Sequence, residues 1–287
     1  LLEDGRRINP TVEEIGIDEA FRLFPPLRVE WLDRAVLEPD SYDIDVAGLH
    51  QAFVRGARAA GAHIETTAAV ASLHRRGQTW VATLTGGGPG LIPAGSSSAA
   101  TEVSADTVVN AAGAWGDVVA GRGGLSPVGL QPMRRTAFMT ASRHDGSAAW
   151  PLLVDVDHHW YVKPDGPQFL CSPADEQPSE PCDARPEEID IALAIDRINT
   201  ATTLDIRHVA GTWAGLRTFA PDRSMVIGPD PDEPSFVWCA GQGGTGIQTA
   251  PAAGRLVADF VLHGRPGPEL TAYELDLDNL LPARFRS

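Results

Sequence analysis

Phe236-Val237-Trp238-Cys239, followed after one residue by Gly241-Gln242-Gly243-Gly244-Thr245-Gly246, is an apolar run passing into a glycine-rich turn, and a helical pattern continues from Ile247 to about His263. A strand-to-helix turn of this kind lets the backbone approach a cofactor and offers it a helix N-terminus, whose unpaired N–H groups carry partial positive charge. The spacing satisfies G-x-G-x-x-G, the pyrophosphate signature of a Rossmann unit. A βαβ unit does not follow here: Arg265-Pro266-Gly267-Pro268 breaks the chain after the helix, and no second strand with a ribose-binding acid is visible. The turn is therefore expected to meet a different cofactor edge, an electron-rich carbonyl or ring nitrogen.

Composition narrows the function classes. The chain has 287 residues, 43% apolar and 21% charged, enough for one large or two interlocked globular domains. A net charge of −15 argues against nucleic acid and against anionic membranes, both of which need a basic face. No apolar run reaches transmembrane length, and Leu1-Leu2-Glu3-Asp4 lacks the basic and apolar regions of a signal peptide, so a cytoplasmic location is expected. The chain opens without Met, which suggests a fragment or a processed product. Cys171, Cys182 and Cys239 form no C-x-x-C and read as reduced thiols, with neither a disulfide framework nor a structural zinc site.

Along the chain, Glu13 to Leu23 suggests a helix stopped by Pro25-Pro26. Asp45 is placed to cap a helix in which Val46, Leu49, Phe53, Ala57 and Ala60 recur at helical spacing before Gly61. Strands are expected at Ile64 to Val70, Trp80 to Leu84 and Thr107 to Asn110, with a Gly/Ser/Ala-rich hairpin insertion from Gly86 to Ala100. The small residues of Asn110-Ala111-Ala112-Gly113-Ala114-Trp115 make a second strand-to-helix turn, with a helix from Trp115 to Ala120. From Gln131 to Asp222 short alternating runs predict an antiparallel sheet: Thr136 to Thr140, Leu152 to Asp155, Trp160 to Val162, Gln168 to Cys171 and Arg207 to Ala214. A helix from Pro186 to Asn199, with Ile189, Leu193 and Ile198 on one side, interrupts them. Ser224 to Gly228 and Phe236 to Cys239 return to strands.

Three segments together resemble a known family. Val108-Val109-Asn110-Ala111-Ala112-Gly113-Ala114-Trp115, Trp213-Ala214-Gly215-Leu216-Arg217 leading to Pro221-Asp222, and Gly241 to Gly246 with Pro251 and Gly254 are similar in order and spacing to the D-amino-acid-oxidase-like FAD-dependent oxidoreductases, of the glycine oxidase and sarcosine oxidase type. The resemblance implies an α/β (α+β) fold: an incomplete FAD-binding Rossmann-like layer with an inserted, mostly antiparallel β-sheet substrate domain. It divides the chain into a substrate-domain segment and linker (1–44), part of the FAD-binding domain (45–125), the substrate domain (126–222) and the C-terminal part of the FAD-binding domain (223–287). The family's first βαβ unit, with its glycine fingerprint and ribose-binding acid, has no counterpart here, and the expectation is that this N-terminal unit is missing.

By the same resemblance, Ala112, Gly113 and Trp115 lie near the FAD phosphates and ribityl chain, and the backbone of Val70 faces the adenine. Gly241, Gln242, Gly243, Gly244, Thr245, Gly246 and Ile247 meet the pyrimidine edge of the flavin, where a helix N-terminus stabilises negative charge. Arg217 is implied to grip a substrate carboxylate in a bidentate pair, and Tyr161 either adds a hydroxyl to that carboxylate or packs within its sheet. Some relatives attach flavin through a cysteine near the positions of Thr218 and Phe219, so FAD is expected to be non-covalent. Asp155, Asp157, His158 and His159 have metal-ligand side chains but read as a polar hairpin tip, because adjacent strand histidines point to opposite faces; no metal is assigned. His50 reads as a partly buried structural histidine.

The activity implied is oxidation of the α-carbon of a small D-amino acid or glycine-like substrate, with oxygen or an electron-transfer partner as acceptor. Two alternatives stay open: a 2-hydroxy acid or glycerol phosphate dehydrogenase, favoured if Arg134 or Arg135 adds charge near Arg217, and a non-catalytic truncated remnant. The sequence assigns no oligomeric state.

Overall fold

A computed structural model describes residues 2–86, 101–142, 144–273 and 275–286. In chain order the elements are α1 (Leu2–Ile8), β1 (Glu13–Ile15), α2 (Ile17–Leu23), β2 (Ala35–Leu37), α3 (Val46–Ala59), β3 (Ala68–Arg76), β4 (Thr79–Gly86), β5 (Thr101–Ala105) and β6 (Val108–Asn110). They continue with α4 (Gly116–Arg122), β7 (Gln131–Ala141), β8 (Leu153–Val154), β9 (Tyr161–Asp165), β10 (Gln168–Ser172), β11 (Gln177–Pro178) and α5 (Glu188–Ala201). The last are β12 (Gly211–Phe219), β13 (Val226–Pro229), β14 (Phe236–Ala240), α6 (Gly246–His263) and α7 (Pro268–Thr271). The expected hairpin insertion lies, from residue 87 on, outside the described residues. No helix among those residues is long and apolar enough to cross a membrane.

The chain divides into two compact units. The first holds Leu1–Asp43, Arg134–Gln177 and Ala184–Gly215. Its sheet runs β11-β7-β10-β9-β8, with β12 also on β7, and the pairs β7/β10, β10/β9 and β9/β8 are antiparallel. Phe138, Phe169 and Cys171 from the sheet pack with Phe24 and with Ile191, Ala194 and Ile198 of α5. That stripe differs from the expected one, since Ile189 and Leu193 are exposed. The α5 start also differs: Glu187 is its extended N-cap, so Pro186 precedes the helix. At its other end Arg28 Nε donates to the carbonyls of Asn199 and Thr202 at 3.3 and 3.0 Å, satisfying acceptors the helix leaves unpaired.

The second unit holds Ile44–Met133, Pro178–Asp183 and Leu216–Ser287. One sheet is the antiparallel β3-β4-β5; the other has the order β13-β14-β6, with β14 parallel to β6. Trp80, Phe236 and Trp238 are fully buried and meet in tilted and edge-on ring contacts at 5.9 and 5.4 Å, geometry that aromatic quadrupoles favour. Ala253, Leu256, Val257 and Phe260 of α6, spaced i, i+3, i+4 and i+7, bury one helix face against Ile227 and Val237. Gly264 ends the helix at φ 68°, its amide donating to Phe260 O.

The mixed α/β class and the antiparallel insertion agree with expectation, as do α6 and α3, whose Asp45 caps Gly48 N at 2.8 Å. Three further expected elements change. Glu13–Ile15 is a strand paired with Ala35–Leu37, and the helix begins only after Gly16. The strand placed at Ile64 to Val70 begins at Ala68, because Thr67 takes φ 57° and breaks the extended run. The strand placed at Arg207 to Ala214 runs from Gly211 to Phe219. Before it, Asn199 bonds both the amide and carbonyl of Ile206, Thr140 Oγ1 donates to the carbonyl of His208, and one backbone bond runs from Ala210 N to Met139 O at 2.8 Å. The helix α3 lies where expected but buries none of its residues, and Val46 and Phe53 are exposed.

Candidate active site

The glycine turn has the conformation its sequence requires. Gly241 and Gly243 adopt φ 71° and 51°, left-handed values costly for other residues. Gln242 O accepts the Thr245 amide at 3.0 Å, which closes the turn ahead of α6. No side chain caps that helix, and its first bond runs from Thr249 N to Thr245 O, so the amides of Gly246, Ile247 and Gln248 lack an intrahelical acceptor. The end of β12 meets the turn: Gly243 N donates to Thr218 O at 2.9 Å. Burial pushes the Cys239 thiol up, partly opposed by the Gln242 amide that donates to its Sγ.

Arg217 stands on β12, half-buried. Among the described residues its guanidinium has no hydrogen-bond or ion-pair partner, and a Cβ on Gly244 would lie 2.9 Å from its Nη1. Arg134 and Arg135, in contrast, are committed. Arg134 pairs with Glu187, with Asp190 at 2.6 Å and with Asp175 at 3.5 Å, and its pKa is raised chiefly by the Glu187 hydrogen bond. Arg135 pairs with Glu176 at 3.2 Å. The suggestion that either supplies spare positive charge to a substrate is therefore not supported.

In the second turn, buried Asn110 donates from Nδ2 to Gly116 O at 2.8 Å and accepts the Ala112 amide on Oδ1 at 3.3 Å. Gly113 has φ 55° with no heavy atom within 4 Å of a notional Cβ, and Gly113–Trp115 forms a 3-10 turn into α4. Asp117 fixes the far side, accepting the amides of Val128, Gly129 and Leu130 at 2.9, 3.1 and 2.7 Å. Val70 lies at a register shift in β3, and its carbonyl accepts from Arg122 Nη1.

Tyr161 opens β9, half-buried, opposite Val154 and Ser172; it belongs to the first unit and Arg217 to the second. His50 is exposed, which corrects its expected partial burial, because α3 leaves its faces open. The β8–β9 connection is the expected polar tip, and His158 and His159 lie in that connection rather than on a strand. His158 takes φ 56°, and the ligand atoms of Asp155, Asp157 and His159 come within 4.8 Å of one another. Asp155 Oδ2 accepts the His159 amide at 3.1 Å, so the tip also holds itself together by hydrogen bonding. Sequence reasoning missed Asn110 as the clasp of its turn and Thr218 and Phe219 as the supports of Gly243. Asn before a small-residue turn was the available signal for the first; nothing local marks the others.

The family model described as FAD dependent oxidoreductase matches residues 1–260. The chain belongs to this family. It is 30% identical over 176 residues to the bovine FAD-dependent oxidoreductase domain-containing protein 1, covering 55% of this chain and 36% of that protein. It is 26% identical over 292 residues to mouse mitochondrial dimethylglycine dehydrogenase, covering 93% of this chain and 31% of that protein. The chain thus spans about a third of the length of the curated relatives it matches. Among solved structures, glycine oxidase from Geobacillus kaustophilus superposes with a TM-score of 0.77 at 22% identity, over 93% of this chain and 67% of that one. L-proline dehydrogenase from P. horikoshii gives 0.79 at 19% identity, over 99% and 71%. These likenesses establish the fold, and the cofactor of the family is FAD.

Proposed function

We propose that the protein is an FAD-dependent oxidoreductase that oxidises the α-carbon of a small amino acid. The observation that carries this reading is Arg217: a half-buried guanidinium without an ion pair among the described residues, at the edge of an uncapped helix N-terminus. A partly desolvated cation is stabilised by an anion that meets it, and the planar guanidinium fits a carboxylate through two parallel hydrogen bonds. Such a pair fixes the α-carbon in one place, which lowers the entropic part of the barrier.

The residues present fit part of FAD. Free amides at Gly246, Ile247 and Gln248 suit an electron-rich carbonyl, and the open, left-handed Gly113 turn suits a phosphate or ribityl segment. The strand β6 is an edge of its sheet among the described residues. FAD, when bound, would supply the hydride acceptor for the oxidation of an amino acid to an imino acid. Arg217 orients the acid and the α6 N-terminus favours developing negative charge; the amine proton leaves to solvent, so no dedicated base is required of the chain. The committed state of Arg134 and Arg135 favours a single carboxylate over a phosphate-bearing substrate. The electron acceptor is oxygen or a carrier protein.

The test is the visible spectrum of the purified chain after FAD addition and washing, followed by turnover with amino acids by wild type and Arg217→Ala. Retained flavin and a fall in kcat/KM of about a hundredfold or more are expected, since a charge-assisted bidentate pair contributes ~3 kcal/mol. Retained flavin with unchanged kinetics would remove Arg217 from the site.

A further inference from the structure

Arg217, Thr218 and Phe219 close β12, and all three meet the glycine turn. The Arg217 guanidinium stands against Gly244, and the Thr218 carbonyl accepts the Gly243 amide at 2.9 Å. The Phe219 ring lies so near Gly243 that a Cβ there would be 2.4 Å from Cε1 and 2.8 Å from Cδ1. Phe219 is itself held by the next turn. Arg223 donates its amide to Ala220 O at 2.9 Å, takes φ 63°, and sets its guanidinium carbon 3.9 Å from the Phe219 ring centroid. A guanidinium over a ring face is an attractive cation–π contact, and a left-handed backbone at a long side chain persists only where its surroundings fix it.

We propose that Phe219, clamped by Arg223, is a positioning residue that fixes the left-handed Gly243 turn in register with the Arg217 guanidinium. The inference rests on the reading of Arg217 and the glycine turn given above. The physical need is clear. Glycine has more backbone freedom to lose than any other residue, and one N–H···O bond from Gly243 to Thr218 limits separation more than rotation. A rigid ring against the Gly243 Cα removes the conformations that the hydrogen bond alone permits. Arg223 keeps the ring there, so a carboxylate on Arg217 and a flavin edge on the turn are held at one spacing.

The test is residue-resolved amide hydrogen exchange on the full chain, with and without FAD, in wild type, Phe219→Leu, Phe219→Tyr and Arg223→Met. Exchange at Gly243 should quicken about tenfold or more in Phe219→Leu, by a smaller factor in Arg223→Met, and stay unchanged in Phe219→Tyr, while Trp238 in β14 keeps its protection. In flavin-loaded protein, acetate as a carboxylate probe should perturb the flavin absorption with several-fold weaker apparent affinity in Phe219→Leu. Wild-type exchange at Gly243 in Phe219→Leu overturns the proposal, and so does equal quickening at Trp238, which would mean a general loss of structure. An unchanged acetate titration overturns the link to Arg217. A wild type that retains no FAD counts against the functional reading instead, and exchange at Gly243 still decides this one.

Discussion

Nη1 of Arg217 lies 2.9 Å, and its Cζ 3.4 Å, from where a Cβ on Gly244 would stand. Glycine at 244 is thus the space the guanidinium uses. The tip of a flexible side chain gives way easily, so Gly244→Ala should fold with stability within about 0.5 kcal/mol of wild type, and the guanidinium should be displaced. If Arg217 grips the substrate, KM for an amino acid should rise about tenfold and kcat should fall with it, because the α-carbon is misplaced. A normal melting curve together with unaltered kcat/KM would detach Gly244 and Arg217 from catalysis.

The strand that carries Arg217 leads into a loop fastened from the far end of the chain. Arg284 donates to the Asp222 carboxylate at 2.6 and 3.2 Å and to the carbonyls of Ser224 and Met225 at 3.1 and 3.0 Å. The Arg284 hydrogen bond holds the Asp222 carboxyl below its ordinary range, with burial opposing it. A depressed folded-state pKa gives stability that is fully present above the unfolded value and is lost as pH falls through the folded one. Because Asp222 is about a third exposed, the contribution is about 1 kcal/mol or less. Asp222→Asn should therefore be slightly less stable than wild type at neutral pH, and the two should converge in strong acid. Denaturant melts across that range check it; a gap that persists in acid would show that the ionised pair is not its source.

The glycine turn and α6 were legible because their signals are local. A glycine is required wherever φ turns positive, as at Gly241 and Gly243, and the buried face of α6 repeats at 253, 256, 257 and 260 within one segment. The α5 face was misjudged because Ala194, small enough to fit closely in the core, carries little hydrophobic signal, while larger Ile189 and Leu193 stay exposed. The strand Glu13–Ile15 exists through pairing with Ala35–Leu37, which local propensity does not register. The partners of the site were hidden by distance along the chain: Arg284 and Asp222 are 62 residues apart, and Phe219 meets Gly243 across the β13–β14 hairpin. Arg217 stands out in the sequence through its resemblance to a family motif, but that its guanidinium has no ion pair among the described residues appears only when the folded neighbours can be counted.

The three cysteines differ in reactivity for physical reasons that a thiol reagent can read. Only the thiolate attacks, so the rate follows the pKa and the access of each group. Cys171 is buried in the first unit, and desolvation pushes its thiol up to about 12, leaving roughly one molecule in ten thousand as thiolate at mildly alkaline pH. Cys239 is half-buried and also raised, with burial the larger cause and the Gln242 amide working against it. Cys182 is exposed and makes a weak 3.5 Å contact with Ser179 Oγ. In native protein a colorimetric disulfide reagent should modify Cys182 within the mixing period, Cys239 slowly, and Cys171 only on unfolding. Mass spectrometry of the labelled peptides identifies the order. Fast labelling of Cys171 without denaturant would mean that the core of Phe138, Phe169 and Ile198 opens far more readily than its close packing allows.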